Sequence, residues 1–139
     1  MRMILIEDNP ADVRLMKEAL KFSGMKFEIT HFPDSLAAVS TLGLREPAWY
    51  PPPDIVFLDL NMPRLSGFDV LKILRRTPEC DKVPIVVFTS SQSPADLEKA
   101  QQLGVDRFVR KPTELREFFD IVSSTIRDLI RDSEVRPPN

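Results

Sequence analysis

The sequence predicts a doubly wound α/β domain on a parallel sheet, and two observations carry that expectation. Five short apolar runs alternate strictly with five longer segments of helical period. Two of those runs, residues 55–58 and 85–88, lack polar alternation, as strands covered on both faces do. A chain of 139 residues has the size of one ordinary domain and can bury a proper core.

The first run, 3–6 (MILI), turns acidic at once into Glu7 and Asp8, and a helical pattern follows over 11–23. Gly24 stands where a helix C-cap belongs. A second run at 27–29 leads to Asp34, a suitable N-cap for a helix over 35–42. The third run, 55–58, is followed after a loop by Ser66, which caps a predicted helix over 67–76. The fourth run, 85–88, leads to Ser93 and Pro94, a cap and a first helical residue for 94–103, with Gly104 as its stop. The fifth run is 107–109. The last helix, predicted over 113–131, has the clearest period, with Leu115, Phe118, Phe119, Val122, Ile126, Leu129 and Ile130 on one stripe. Ile121 falls outside that stripe, and the closing EVRPPN is expected to fray. The irregular piece is GLREPAWYPPPD, a connection stiffened by Pro51, Pro52 and Pro53, whose Trp49 and Tyr50 are expected to pack on the domain or on a partner.

Composition narrows the function. The chain is 42% hydrophobic and 29% charged, with a net charge of −2, so no global electrostatic argument favours nucleic acid or an anionic membrane. No stretch approaches the roughly 18 apolar residues of a membrane span. MRMILIEDNP is unlike a secretion signal, because its apolar run is short and turns acidic. The single Cys80 rules out an internal disulfide, fits a reducing cytoplasm, and reads as a loop bystander. The one histidine, His31, is expected at the end of the second strand, away from the acidic residues.

The polar residues that carry chemistry fall at strand ends. Glu7 and Asp8 follow the first strand, Asp59 the third, Thr89 the fourth and Lys111 the fifth. Ligands of open parallel sheets gather beyond those carboxyl ends. Three carboxylates in one small site repel one another unless a cation joins them, and oxygen donors alone suit a hard cation such as Mg²⁺. A carboxylate with Mg²⁺, a lysine and a hydroxyl forms a set for phosphoryl transfer, with Asp59 as nucleophile. Singly each residue is an ordinary loop or capping residue. Their joint placement is what points to a site.

At these residues the chain resembles the receiver domain of two-component response regulators, over roughly 2–130, through LIEDNP, FLDLNMPRLSG, VVFTSS and RFVRKP in order. The resemblance implies a five-stranded parallel sheet in the order 2-1-3-4-5 flanked by five helices. It implies that Asp59 takes a phosphoryl group from a histidine kinase or a phosphotransfer protein. Asp8 and Asp59 would bind Mg²⁺ through carboxylates, Asn61 through its backbone carbonyl, and Glu7 through water. Thr89 and Lys111 would hold the phosphoryl oxygens, a cis Lys111–Pro112 peptide would shape the site, and Gly67 would permit a tight turn after the phosphorylation loop. Thr89 and Phe108 would form a switching pair, with Phe108 either a mobile ring or plain core. EDNPADVRL and the longer Pro-rich loop look like the small regulators that partner bacterial phytochrome kinases, which pair through the last helix into homodimers.

With only a short tail, 131–139, after the domain, no output domain is expected, and signalling would pass through a downstream protein partner in the cytoplasm. Two other readings compete. A small Mg²⁺-dependent phosphatase resembling haloacid dehalogenases favours an acidic residue two positions after its nucleophile, where this chain has Asn61. A dimerisation scaffold that is never phosphorylated has no need of clustered like charges.

Overall fold

A computed structural model describes residues 1–135, and the side chains of residues 1–131. The elements run in strict alternation: β1 (Arg2–Ile6), α1 (Pro10–Ser23), β2 (Glu28–Phe32), α2 (Ser35–Gly43), β3 (Ile55–Leu58), α3 (Gly67–Arg76), β4 (Ile85–Thr89), α4 (Pro94–Gln102), β5 (Arg107–Arg110) and α5 (Leu115–Val135). The strands form one parallel sheet in the order β2-β1-β3-β4-β5, as expected.

The unalternated strands lie where their composition demands. β3 and β4 are buried at every position, and their side chains divide between two cores. Val56, Leu58, Ile85 and Val87 join Ile4, Ile6, Val70, Leu71 and Leu74 on one face. Ile55, Phe57, Val86 and Phe88 join Met3, Leu5, Met16, Phe118, Val122 and Ile126 on the other. Edge rings of Phe57, Phe88 and Phe118 meet at 5.8 and 5.2 Å in tilted or edge-on pairs.

Caps close the helices as the sequence indicated. Asp34, Ser66 and Ser93 accept from the backbones of Leu36, Asp69 and Asp96, and Gly24 takes the left-handed conformation at φ 73°. Asn9 caps α1 by accepting from Ala11, a role its place before Pro10 concealed.

β2 lies at 28–32, later than the predicted 27–29. It is an edge strand, and Thr30 and His31 pair with β1 although they interrupt the apolar run. α5 continues to Val135, beyond the predicted 131. The first two residues of the EVRPPN segment therefore lie in the helix, and 136–139 lie outside the described residues. Leu115 departs from its stripe at 54% exposed, because it stands in the first turn before the helix reaches the sheet. Trp49 is only 1% exposed, stacks on Phe32 at 6.1 Å and donates its indole N–H to Thr41 Oγ1 at 3.1 Å. The Pro-rich connection is thus anchored to the domain. Cys80, in the turn after α3, is fully buried.

The candidate phosphoryl-transfer site

Backbone hydrogen bonds extend the sheet one step past its strands and so aim the polar residues at one edge. Glu7 N–H donates to Phe32 O at 3.1 Å, Asp59 N–H to Ile6 O at 3.1 Å, and Lys111 N–H to Thr89 O at 2.7 Å. Glu7, Asp59 and Lys111 therefore spring from backbone that the sheet holds. Asp59 is 7% exposed, Glu7 3% and Thr89 0%, whereas Asp8 is open to solvent.

The sheet brings together Glu7, Asp8 and Asp59, whose carboxylate oxygens all lie within 4.8 Å of one another. Lys111 enters from the far edge. Its ammonium is hydrogen-bonded to Glu7 Oε1, lies 2.8 Å from Asp12 Oδ2 and 3.3 Å from Asp59 Oδ2. The other Asp59 oxygen accepts from Asn61 N–H at 3.3 Å, and the Asn61 amide donates to Thr89 Oγ1 at 3.4 Å. Ser91 N–H also reaches that hydroxyl, at 3.3 Å.

The electrostatics follow from burial. Loss of water pushes the Glu7 carboxyl up to about 8, against the pull of Lys111 and with the help of the Asp59 charge. Burial alone would draw the Lys111 ammonium down. The carboxylates of Asp12, Glu7 and Asp59 outweigh it and hold the ammonium above its ordinary range. One cation against the carboxyl groups of Glu7, Asp8, Asp12 and Asp59 leaves the edge short of positive charge. The donor set is all oxygen, two of its three carboxylates are buried, and the third opens to solvent. Those residues fit a hard divalent cation with room for water ligands.

Several details differ from expectation. The Lys111–Pro112 bond is trans, and among the described residues the cis X–Pro bond lies at Tyr50–Pro51. A proline admits either isomer at a cost of only about 0.5–1 kcal/mol, so the Lys-Pro dipeptide alone does not select one. Gly67 does close the loop after Asp59, its N–H donating to Leu60 O at 3.2 Å. It opens α3, and a Cβ there would stand 2.4 Å from the Asp59 carbonyl oxygen, so close approach explains the glycine. His31 is not remote, since its Nε2 lies 2.7 Å from the Glu7 carbonyl oxygen. β2 runs on past the predicted end and carries the ring to that edge. Phe108 is half-buried, packs against the core and borders a groove of about 600 Å³ with Val109, Arg110, Glu117, Asp120 and Ile121. Asp12 was missed altogether. An acid in a first helical turn is already explained by the helix dipole, which hid its contact with a lysine 99 positions away.

Comparison with known proteins agrees with this geometry. The family model described as response regulator receiver domain matches residues 3–123. The response regulator Rcp1 of Synechocystis sp. is 34% identical over 120 residues, which cover 86% of this chain and 82% of Rcp1. The crystal structure of Mn²⁺-bound Rcp1 superposes with a TM-score of 0.78 at 32% identity, covering 88% of this chain and 89% of that one. The phosphorylated cyanobacterial phytochrome response regulator RcpA gives a TM-score of 0.84 at 28% identity, covering 99% and 98%.

Proposed function

Since the chain belongs to the response regulator receiver domain family, we propose that Asp59 is its phosphoryl acceptor and a histidine kinase's phosphohistidine its donor. The protein is a response regulator receiver of a two-component system, close to the response regulator Rcp1 and the cyanobacterial phytochrome response regulator RcpA. Histidine kinases are the partner class of such domains. A kinase of the phytochrome kind is the natural candidate here, given that RcpA is called a phytochrome response regulator.

The observation that carries the reading is the meeting of Asp59, Thr89 and Lys111 with Glu7 and Asp8, from four separate strand ends. In transfer, an Asp59 carboxylate oxygen forms a bond to phosphorus while the bond from phosphorus to the donor's imidazole nitrogen breaks. The electron pair leaves with that nitrogen. Lys111 and the Thr89 hydroxyl take the phosphoryl oxygens, and the sheet keeps Asp59 aimed. Asp8 and Asp59 through carboxylates, Asn61 through its backbone carbonyl and Glu7 through water would hold Mg²⁺. When bound, that ion neutralises charge developing on the phosphoryl oxygens. Asn61 offers an amide where an aspartyl phosphatase needs an acid, and a scaffold has no use for the triad. Neither alternative is favoured.

Incubation with Mg²⁺ and acetyl phosphate, followed by intact mass, tests the reading. The wild type is expected to gain one phosphoryl group and Asp59→Asn none; a gain that survives the substitution refutes it.

We read the groove beside Phe108 and Ile121 as the homodimer surface, through α5 and β5, and Phe108 as the ring that Thr89 releases on phosphorylation. Ile121 supports this, being half-buried off the apolar stripe. Ile121→Arg is expected to shift the phosphorylated protein to monomer in sedimentation, and an unchanged dimer counts against that surface. A buried free thiol fits work in the reducing cytoplasm, with output through a downstream protein.

A further inference from the structure

We propose that Asp12 is a positioning residue of the site: it holds the Lys111 ammonium on the α1 side and sets the balance between cation and phosphoryl binding. The inference rests on Asp59 being the acceptor. Asp12 stands in the first turn of α1, outside the carboxylate triad that fits the metal. Its side chain is only 22% exposed, and its Oδ2 lies 2.8 Å from Lys111 Nζ, closer than Asp59 Oδ2 at 3.3 Å. Lys111 is thus shared among three carboxylates, and Asp12 is the one with neither a metal nor a phosphoryl group to carry.

Two electrostatic consequences follow, with opposite signs. Asp12 adds negative charge near the triad and keeps Lys111 from leaning fully on Asp59, so it favours a divalent cation. The same charge repels an incoming phosphoryl group and competes with it for the ammonium. Asp12 therefore acts as a brake on the phosphorylated state and an aid to the metal-loaded one. An acid serving only the helix dipole would affect neither affinity in this paired way.

Asp12→Asn removes the charge and keeps the shape. Mg²⁺ affinity, measured by calorimetry, is expected to fall roughly three- to tenfold, as for a partly screened charge a few ångströms away. Affinity for beryllofluoride at saturating Mg²⁺ (a tetrahedral mimic of the phosphoryl group) is expected to rise by about the same factor. The acyl phosphate made with acetyl phosphate should outlive the wild type's. Asp12→Glu, which keeps the charge, should stay near wild type in both affinities. A merely structural role would weaken both ligands together. That result, or no change in either, or an Asp12→Glu protein that behaves like Asp12→Asn, overturns the inference. A wild type that takes no phosphoryl group on Asp59 sinks the acceptor reading itself. A wild type that takes it beside an indistinguishable Asp12→Asn sinks only the role of Asp12.

Discussion

Gly67→Ala is the substitution whose cost the structure states most directly. The added Cβ would meet the Asp59 carbonyl oxygen at 2.4 Å, the Leu60 Cα at 2.7 Å and the Asp59 carbonyl carbon at 3.1 Å. All three obstacles are backbone, so no rotamer change relieves them. Measured against an ordinary contact of 3.4 Å, α3 or the 59–60 segment must give way by about 1 Å. β3 is packed on both faces and Gly67 N–H is tied to Leu60 O at 3.2 Å, so neither side yields freely. Overpacking of this kind costs about 1–3 kcal/mol, and the helix propensity of alanine returns up to about 1. A net loss of about 1–2 kcal/mol lowers the melting temperature by about 3–7 °C, from the unfolding entropy of a domain this long.

The damage also falls on the segment that carries Asp59. A displacement near 1 Å at a reacting group costs on the order of a hundredfold in rate. Acetyl phosphate labelling of Gly67→Ala, followed by intact mass at a temperature where the protein is folded by circular dichroism, is expected to slow by ten- to a hundredfold. Gly43→Ala is the control, since nothing lies within 4 Å of its Cβ. It should melt at or above the wild-type temperature. A Gly67→Ala protein that melts within about 2 °C of wild type and labels at the same rate would refute the close-approach argument.

Two further outcomes follow from the same coordinates. Trp49→Phe removes the indole N–H that reaches Thr41 Oγ1 from a site 1% exposed, so urea unfolding should show a loss of about 1–2 kcal/mol. Glu7 is raised from 4.5 to about 8, so its contribution to stability is complete below about 4.5 and is lost as pH rises through 8; metal-free protein should melt progressively lower across that window, and a flat profile would contradict the burial argument.

How much of this was legible in the sequence depends on whether one residue type or a coincidence of several carried the signal. The strands β3 and β4 declared themselves because four consecutive apolar residues have few other uses, and the serine and aspartate caps because their chemistry is local. β2 was misread because an edge strand tolerates Thr30 and His31, so its pattern is weak. That Glu7, Asp8, Asp59, Thr89 and Lys111 gather at one end of the sheet was readable from topology. Asp12 was not, since its partner lies across the sheet and its position already had a sufficient local explanation. Gly67 was expected for the turn after the Asp59 loop, and only the coordinates add that a neighbouring backbone carbonyl leaves no room for a Cβ there.

The arrangement divides the work between rigid and compliant strands. β3 is central, pairs on both sides and buries Ile55 through Leu58, so Asp59 at its end is held against displacement by two cores. β5 pairs only with β4, its outer residues Arg107 and Arg110 are exposed, and Phe108 and Val109 are half-buried. An edge strand with less buried apolar surface moves at lower cost. Lys111 and Phe108, the residues assigned to meet the phosphoryl group and to relay its arrival, both ride on that softer edge. A nucleophile must stay aimed through many cycles of transfer, whereas a reporter must yield to one added charge. Placing Asp59 centrally and Lys111 at the edge lets one sheet satisfy both demands. It also fits the proposed role of Asp12: the Lys111 ammonium touches Asp59 at 3.3 Å but lies nearer Asp12, at 2.8 Å, so part of its pull is drawn away from the acceptor.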